Sequence, residues 1–217
     1  MLFTSYIQKC WRIGFDIFYL QSFVLHRLIT NNAIATHEVF HSMNKWSTAK
    51  KGAMALRLDM MKVYDRLKRS FLVFTLLWCG FHDGWVWNIM RCIYTVSYKV
   101  KVNSNFTVPF VPCRGLHQGD TLSQYLFIFV ANVFSKLVWN AVMQGRLHGI
   151  NASRSGPSIS HLFFADDFLL SARATSSECR MIVGLIKSFL DASGKKVNFQ
   201  KLEASLSRGV PQEKRSE

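Results

Sequence analysis

Hydrophobic and polar positions fall into blocks of two periods along the chain. Residues 33–46 (AIATHEVFHSMNKW) set Ile34, Val39, Phe40 and Met43 at helical spacing, which predicts an amphipathic helix. A polar break, STAKKG, separates this from AMALRLDM, whose length and flanking glycine suit a buried strand. Residues 69–80 and 84–94 carry helical patterns, with Gly80 placed to end the first. SYKVKVNSNFTVPFVP alternates on both sides of Asn103-Ser104-Asn105 and predicts a hairpin. Helical spacing returns from Leu122 to Gln144, and Gly145 stands where a C-terminal cap belongs. ISHLFFADDFLLS (159–171) reads as two apolar strand segments around a two-aspartate turn. A helix over 176–192, ended by Gly194, leads to a short strand, KVNFQ. Strand, helices, hairpin, helix, hairpin, helix and strand together predict an α+β fold, an antiparallel sheet with helices packed on one face. Residues 1–20 are apolar and aromatic but poorly patterned, and PQEKRSE (211–217) reads as a frayed tail.

Composition narrows the class. Of 217 residues, 49% are hydrophobic and 14% aromatic, which excludes a disordered chain. The net charge of +14, from 27 Lys+Arg against 13 Asp+Glu, points to a polyanion as partner, with nucleic acid first. Five cysteines without a C-x-x-C pair give neither a zinc site nor a disulfide framework, so no disulfide-linked partner is expected. The same usage suits a reducing intracellular compartment, nuclear or cytoplasmic. No apolar run reaches the ~18 residues of a membrane span. Leu126–Val138 comes nearest, but Asn132 and Lys136 interrupt it, so a buried helix is expected and no membrane. The N-terminus lacks the clean apolar run and small-residue cleavage site of a signal peptide.

The chemistry concentrates in carboxylates placed among apolar residues. Asp166 and Asp167 sit between LFF and FLL, inside what is otherwise a continuous apolar strand pair. Adjacent buried carboxylates repel, and a hard divalent cation relieves that repulsion. An ordinary solvated Asp-Asp turn is the plain alternative. Asp59 ends the strand AMALRLDM, where a helix cap is the plain alternative. Two-metal phosphoryl transfer needs carboxylates from more than one strand. Asp59 and Asp166 lie 107 residues apart and meet only if their strands are neighbours in one sheet.

Four blocks, LRLDMMKVYDRL, RGLHQGDTLSQYLF, HLFFADDFLL and ASGKKVNFQK, occur in an order and spacing that resemble the reverse transcriptases of plant non-LTR (LINE-type) retrotransposons. The resemblance runs from Gln21 to Val210 and divides the chain into a partial fingers region (21–50) and a polymerase palm (51–210). It implies that Asp59, Asp166 and Asp167 bind Mg²⁺, with Mn²⁺ as the alternative ion, and that the backbone carbonyl of Met60 adds a ligand. It implies Tyr64 as the aromatic that blocks a ribose 2′-hydroxyl, with a core tyrosine as the plain alternative. Gln118 is implied beside the incoming nucleotide, while Gly115 and Gly119 let the backbone approach nucleotide or template. Ser123 and Arg114 are implied on the template side. Lys201 is taken as the lysine that protonates departing pyrophosphate, with Lys195 and Lys196 as alternatives and a solvated surface lysine as the plain reading. Arg27, in QSFVLHRLITNN, is the implied triphosphate grip. The partners implied are an RNA template, a DNA primer and deoxynucleoside triphosphates.

The chain also departs from the family pattern. Thr121 and Gln124 replace prolines of the second block, and Leu25-His26 replace Pro-Gly beside Arg27 in a segment one residue short. Residues 1–20 match no fingers block, and no segment resembles an endonuclease, thumb, ribonuclease H region or zinc knuckle. These departures favour a remnant that binds nucleic acid and extends primers poorly or not at all. A third reading, an RNA-templated RNA polymerase, calls for glycine where Ala165 stands and a small residue or aspartate where Tyr64 stands.

Overall fold

AMALRLDMM is apolar apart from Arg57 and Asp59, which fall two apart on one face, and this segment organises the sheet. In the computed structural model, which describes residues 29–45, 52–151, 156–164 and 167–210, these residues form strand β1 (Ala53–Met61). Before it comes helix α1 (Ile29–Lys45), and after it α2 (Arg69–Trp78) and α3 (Asp83–Tyr94). Next are β2 (Lys101–Val102), β3 (Asn105–Phe106) and the long helix α4 (Thr121–Met143). The remainder is β4 (Ile150–Asn151), β5 (Ser158–Ile159), β6 (His161–Phe164), β7 (Asp167–Arg173), α5 (Ser176–Ser193), β8 (Lys196–Val197), a 3₁₀ turn (Phe199–Lys201) and β9 (Glu203–Leu206). Arg27, Ala165, Asp166, residues 1–20 and the tail 211–217 lie outside the described residues.

The main sheet runs β6-β7-β1-β8, all antiparallel, with β9 also paired to β1. Because side chains alternate across a strand, Met54, Leu58 and Met60 turn to one face and Ala53, Ala55, Arg57 and Asp59 to the other. The first face meets α2, α4 and α5 in the main core, where Phe134 of α4 packs on Phe163, Phe168 and Phe189 at 4.8–5.7 Å between ring centroids. At about 25 cal/mol per Å² of buried apolar surface, such large aromatic side chains contribute most of the stabilisation of this face. Helix α4 is long and apolar enough to cross a membrane by length and composition, and its packing against this core accounts for that composition.

Among the described residues, the second face is covered at one end. Val39 and Met43 of α1 pack there on Ala53, Ala55, Leu162 and Leu169, so the first helix lies across the sheet from the others. Helix ends follow the chemistry of the sequence. Gly80, Gly145 and Gly194 take positive φ (82°, 66° and 77°) at the ends of α2, α4 and α5. The Asp120 and Thr175 side chains accept from Leu122 N–H and Glu178 N–H to cap α4 and α5.

Three details differ from the pattern read off the sequence. KVNFQ is a strand only at Lys196–Val197. Asn198 N–H donates to the Asp59 carbonyl at 2.8 Å, and the Asn198 side chain then accepts from Gln200 N–H and starts the 3₁₀ turn. The hairpin's strands hold two residues each around Asn103 and Ser104, with one further bridge between Tyr98 and Phe110. Strand β9 and the small β4–β5 pair carry no clear sequence signal and form through long-range pairing.

Candidate active site

Antiparallel register sets the two described carboxylates side by side. Asp59 of β1 and Asp167 of β7 are direct register partners, so they share a face and meet at an end of the sheet that no described helix covers. Their side chains keep 18% and 35% of their exposure, enough to reach a bound ion or ligand. Two cations compensate them. Lys201 Nζ lies 2.7 Å from Asp59 Oδ2, and Arg57 Nη2 donates to Asp167 Oδ2 at 2.8 Å. Arg57 also lies 3.7 Å from Glu203, and the neighbouring Asp167 raises its guanidinium pKa further. These residues sit on β1, β7, the 3₁₀ turn and β9, so the sheet itself assembles the cluster. The donor set is hard oxygen, which fits Mg²⁺ or Mn²⁺, and the two side-chain cations stand where positive charge is needed. Among the described residues no three acidic or metal-ligating side chains group together; the third carboxylate of the sequence reading, Asp166, lies outside them.

The three candidate lysines separate. Lys201 reaches Asp59, Lys196 is exposed on the edge strand, and Lys195 is buried on the other side. Lys195 Nζ has no hydrogen-bond partner, lies 4.1 Å from the Phe127 ring centroid, and burial pushes its pKa down to about 7. Arg57 was missed by the sequence reading. Its signal was present, since residues two apart on a strand share a face and Arg57 precedes Asp59 by two.

The second block docks on the turn after β1. Gly115 N–H donates to the Leu67 carbonyl (2.9 Å) and Leu116 N–H to the Tyr64 carbonyl (3.0 Å). A Cβ on Gly115 would stand 2.5 Å from the Asp65 carbonyl oxygen, at φ +81°. Gly115 thus permits a close approach within the fold itself, to the Asp65 backbone. Gly119 also has positive φ (93°), yet no atom lies within 4 Å of its Cβ position, and it remains open. Arg114, Gln118 and Ser123 line one cavity of about 510 Å³ together with Asp65 and Arg69. Ser123 is buried there and donates to Asp120 at 3.3 Å, inside the α4 cap. Tyr64 is partly buried with its ring 5.4 Å from Phe127, and Met60 buries its side chain, leaving the backbone as its route to the site. A second cavity, about 420 Å³, opens between α1 and the sheet beside Asp167, with Arg57 and Glu203 on its wall.

The family model for reverse transcriptase (RNA-dependent DNA polymerase) matches residues 9–215. That span takes in residues 9–20 of the segment that showed no block of its own. An uncharacterized mitochondrial protein of Arabidopsis thaliana is 57% identical over 56 residues, 26% of this chain and 46% of that protein. A retrovirus-related Pol polyprotein from a type-2 retrotransposable element of Drosophila melanogaster is 27% identical over 157 residues, 72% of this chain and 14% of the polyprotein. The chain thus spans less than half the length of these curated relatives. A solved structure of telomerase from Candida tropicalis, in complex with a TWJ fragment of telomeric RNA, shares the fold. It matches at TM-score 0.64 and 13% identity, over 94% of this chain and 33% of that one.

Proposed function

Because this chain belongs to the reverse transcriptase (RNA-dependent DNA polymerase) family, we propose that it is the palm of an RNA-directed DNA polymerase that extends a DNA primer on an RNA template. The observation that carries the reading is the register pairing of Asp59 with Asp167 on the open end of the sheet. Members of the family use a divalent metal ion, and Mg²⁺ suits this all-oxygen donor set. Asp59, Asp166 and Asp167 would hold it, with the Met60 carbonyl. A bound ion of this kind lowers the pKa of an attacking hydroxyl and stabilises charge on a transferred phosphoryl group.

The chain's own groups supply the rest. Lys201, which pairs with Asp59, is assigned to hand a proton to departing pyrophosphate. Tyr64 is assigned to exclude a ribose 2′-hydroxyl, braced from behind by Phe127. Gln118, Gly119 and Arg27 are assigned to the incoming deoxynucleotide, and Arg114 and Ser123 to the template. An intracellular setting, nuclear or cytoplasmic, goes with this substrate set.

A second reading, nucleic-acid binding without synthesis, is favoured by one observation. Both described carboxylates are already engaged by side-chain cations, which compete with a metal for the same oxygens. Primer extension on an RNA template with Mg²⁺ decides between them. Extension that disappears in Asp59→Asn supports the polymerase. Absence of extension beside retained, salt-sensitive RNA binding supports the second reading.

A further inference from the structure

Helix α1 turns two chemically different faces outward and inward. Asn32, Val39, Ser42 and Met43 are buried toward the sheet, while Ile34, His37, Glu38 and His41 are exposed on the outer side. His37 and His41 stand four residues apart, so their side chains are neighbours on that outer side. Their ring centroids lie 6.4 Å apart, with the planes 9° from parallel. Among the described residues neither imidazole takes part in a hydrogen bond or an ion pair. The other described histidines all have structural partners: His82 caps α3, His117 stacks on Tyr98, His148 meets Glu178 and His161 meets Ser135.

A pair of unengaged imidazoles one helical turn apart selects a class of ligand. Neutral imidazole suits Zn²⁺, Ni²⁺ and Cu²⁺, whereas carboxylate and water suit Mg²⁺. Residues 37–41 read His-Glu-Val-Phe-His, and histidines at i and i+4 of a helix are the spacing by which H-E-x-x-H segments hold zinc. A zinc peptidase takes a third protein ligand as well. Among the described residues no three metal-ligating side chains group together, so the peptidase reading is not carried. What α1 offers is a two-nitrogen chelate whose remaining positions go to water. Metal–nitrogen bonds of ~2.0–2.1 Å require the two rings to turn their nitrogens toward each other. Exposed side chains make such rotations rapidly.

We propose that His37 and His41 form a binding site for one late first-row transition-metal ion per chain, of the Zn²⁺, Ni²⁺ and Cu²⁺ class. The chelate bridges one turn of α1 and so holds helical the segment that packs Val39 and Met43 on Ala53, Ala55 and Leu169. The site is separate from Asp59 and Asp167 and independent of the polymerase reading, because no step of nucleotide transfer passes through it.

The test is calorimetric titration of Zn²⁺ into the metal-free full chain, where one site should appear that excess Mg²⁺ does not block. His37→Gln and His41→Gln should each weaken that site about a hundred-fold, the effect of losing the second of two tethered ligands. Glu38→Gln should leave it nearly unchanged. So should His82→Asn, which removes an exposed imidazole elsewhere and keeps a side-chain cap for α3. Zn²⁺ should also raise the thermal unfolding midpoint of the unaltered chain and not that of either His37→Gln or His41→Gln. Long-range ¹H–¹⁵N spectra of the unaltered chain identify the ligands without any variant: one ring nitrogen of His37 and one of His41 should shift on adding Zn²⁺. Absence of Zn²⁺ binding, or unmoved His37 and His41 signals, overturns the proposal. So does binding that survives both histidine substitutions, as it would at the exposed thiols of Cys92, Cys113 and Cys179. A loss in Glu38→Gln equal to that in His41→Gln would overturn the two-nitrogen site as well. Primer extension reports on the polymerase reading separately, and neither result bears on the other.

Discussion

The two faces of the central sheet divide the work between them at intervals of one residue. Met60 points into a core of packed phenylalanines, while Asp59 beside it points to a cluster of four charged side chains. On the core face the phenylalanine rings are fully or almost fully buried and make contacts that no water can replace. On the open face Arg57, Asp59, Asp167, Lys201 and Glu203 form exposed or half-exposed ion pairs, which contribute little to stability. One strand therefore carries a rigid scaffold and an adaptable site together. What holds the site in register is packing on the side that the site never touches.

That division can be broken from the core side with the largest effect. Phe168→Ala is expected to remove about 3–5 kcal/mol of stability in urea denaturation, because Phe168 is fully buried against Phe134 and Phe163. A loss under 1 kcal/mol would mean that the core face is not the scaffold.

The next test uses Lys195, the lysine buried on the core face among the described residues. Lys195→Met should stabilise the fold by about 1–4 kcal/mol, since it replaces a buried cation lacking a hydrogen-bond partner with an apolar side chain. The pH dependence has a definite sign. Lys195 has a pKa of about 7 in the fold and 10.5 ordinarily, so between those values the unfolded chain binds more protons. The Lys195 contribution therefore makes stability rise with pH from about 7 to 10.5, and that part of the slope should vanish in Lys195→Met. An unchanged slope would place the ammonium in water.

His161 sharpens the same face at the acid end. It is fully buried between Ser135 Oγ (2.7 Å) and Ser160 Oγ (2.9 Å), and burial lowers its pKa to about 3 from 6.5. Its stabilising contribution is present above 6.5 and is lost as pH falls toward 3. The loss should reach about 2 kcal/mol by pH 5, read from urea midpoints of the chain and His161→Leu. The smallest effect belongs to the open face. Lys201→Met should change stability by no more than ~1 kcal/mol, while Mg²⁺ binding tightens as Asp59 loses its competing cation. Calorimetric titration showing unchanged Mg²⁺ binding would return Lys201 to a surface role.

Local signals were legible wherever a residue's neighbours in sequence are its neighbours in space. Gly80, Gly145 and Gly194 mark helix ends by their positive φ, and the alternation around Asn103 and Ser104 marks the hairpin. The strands bearing Asp59 and Asp167 were legible from their apolar runs and from four ordered blocks. Long-range partners were not. Glu203–Leu206 has no apolar run and becomes a strand only because β1 offers it an edge. Gly115 invites a close approach, but nothing in its own segment names Asp65 as the neighbour. Lys195, Lys196 and Lys201 are chemically identical in the sequence, and only the sheet's two faces set them apart.

The pairing of β1 also has a consequence for how the chain is made. Its register partners on β7 lie 108 to 120 residues later, from Asp59 with Asp167 to Ala53 with Arg173. At a synthesis rate of ~5–20 residues per second, β1 leaves the ribosome roughly 5–25 seconds before the strand that covers its edge exists. Throughout that interval a nine-residue apolar strand stands with both edges open, the condition in which nascent chains pair with one another. Holding β1 apart until β7 arrives is a task for chaperones, and the yield of native protein should rise when translation is matched to them.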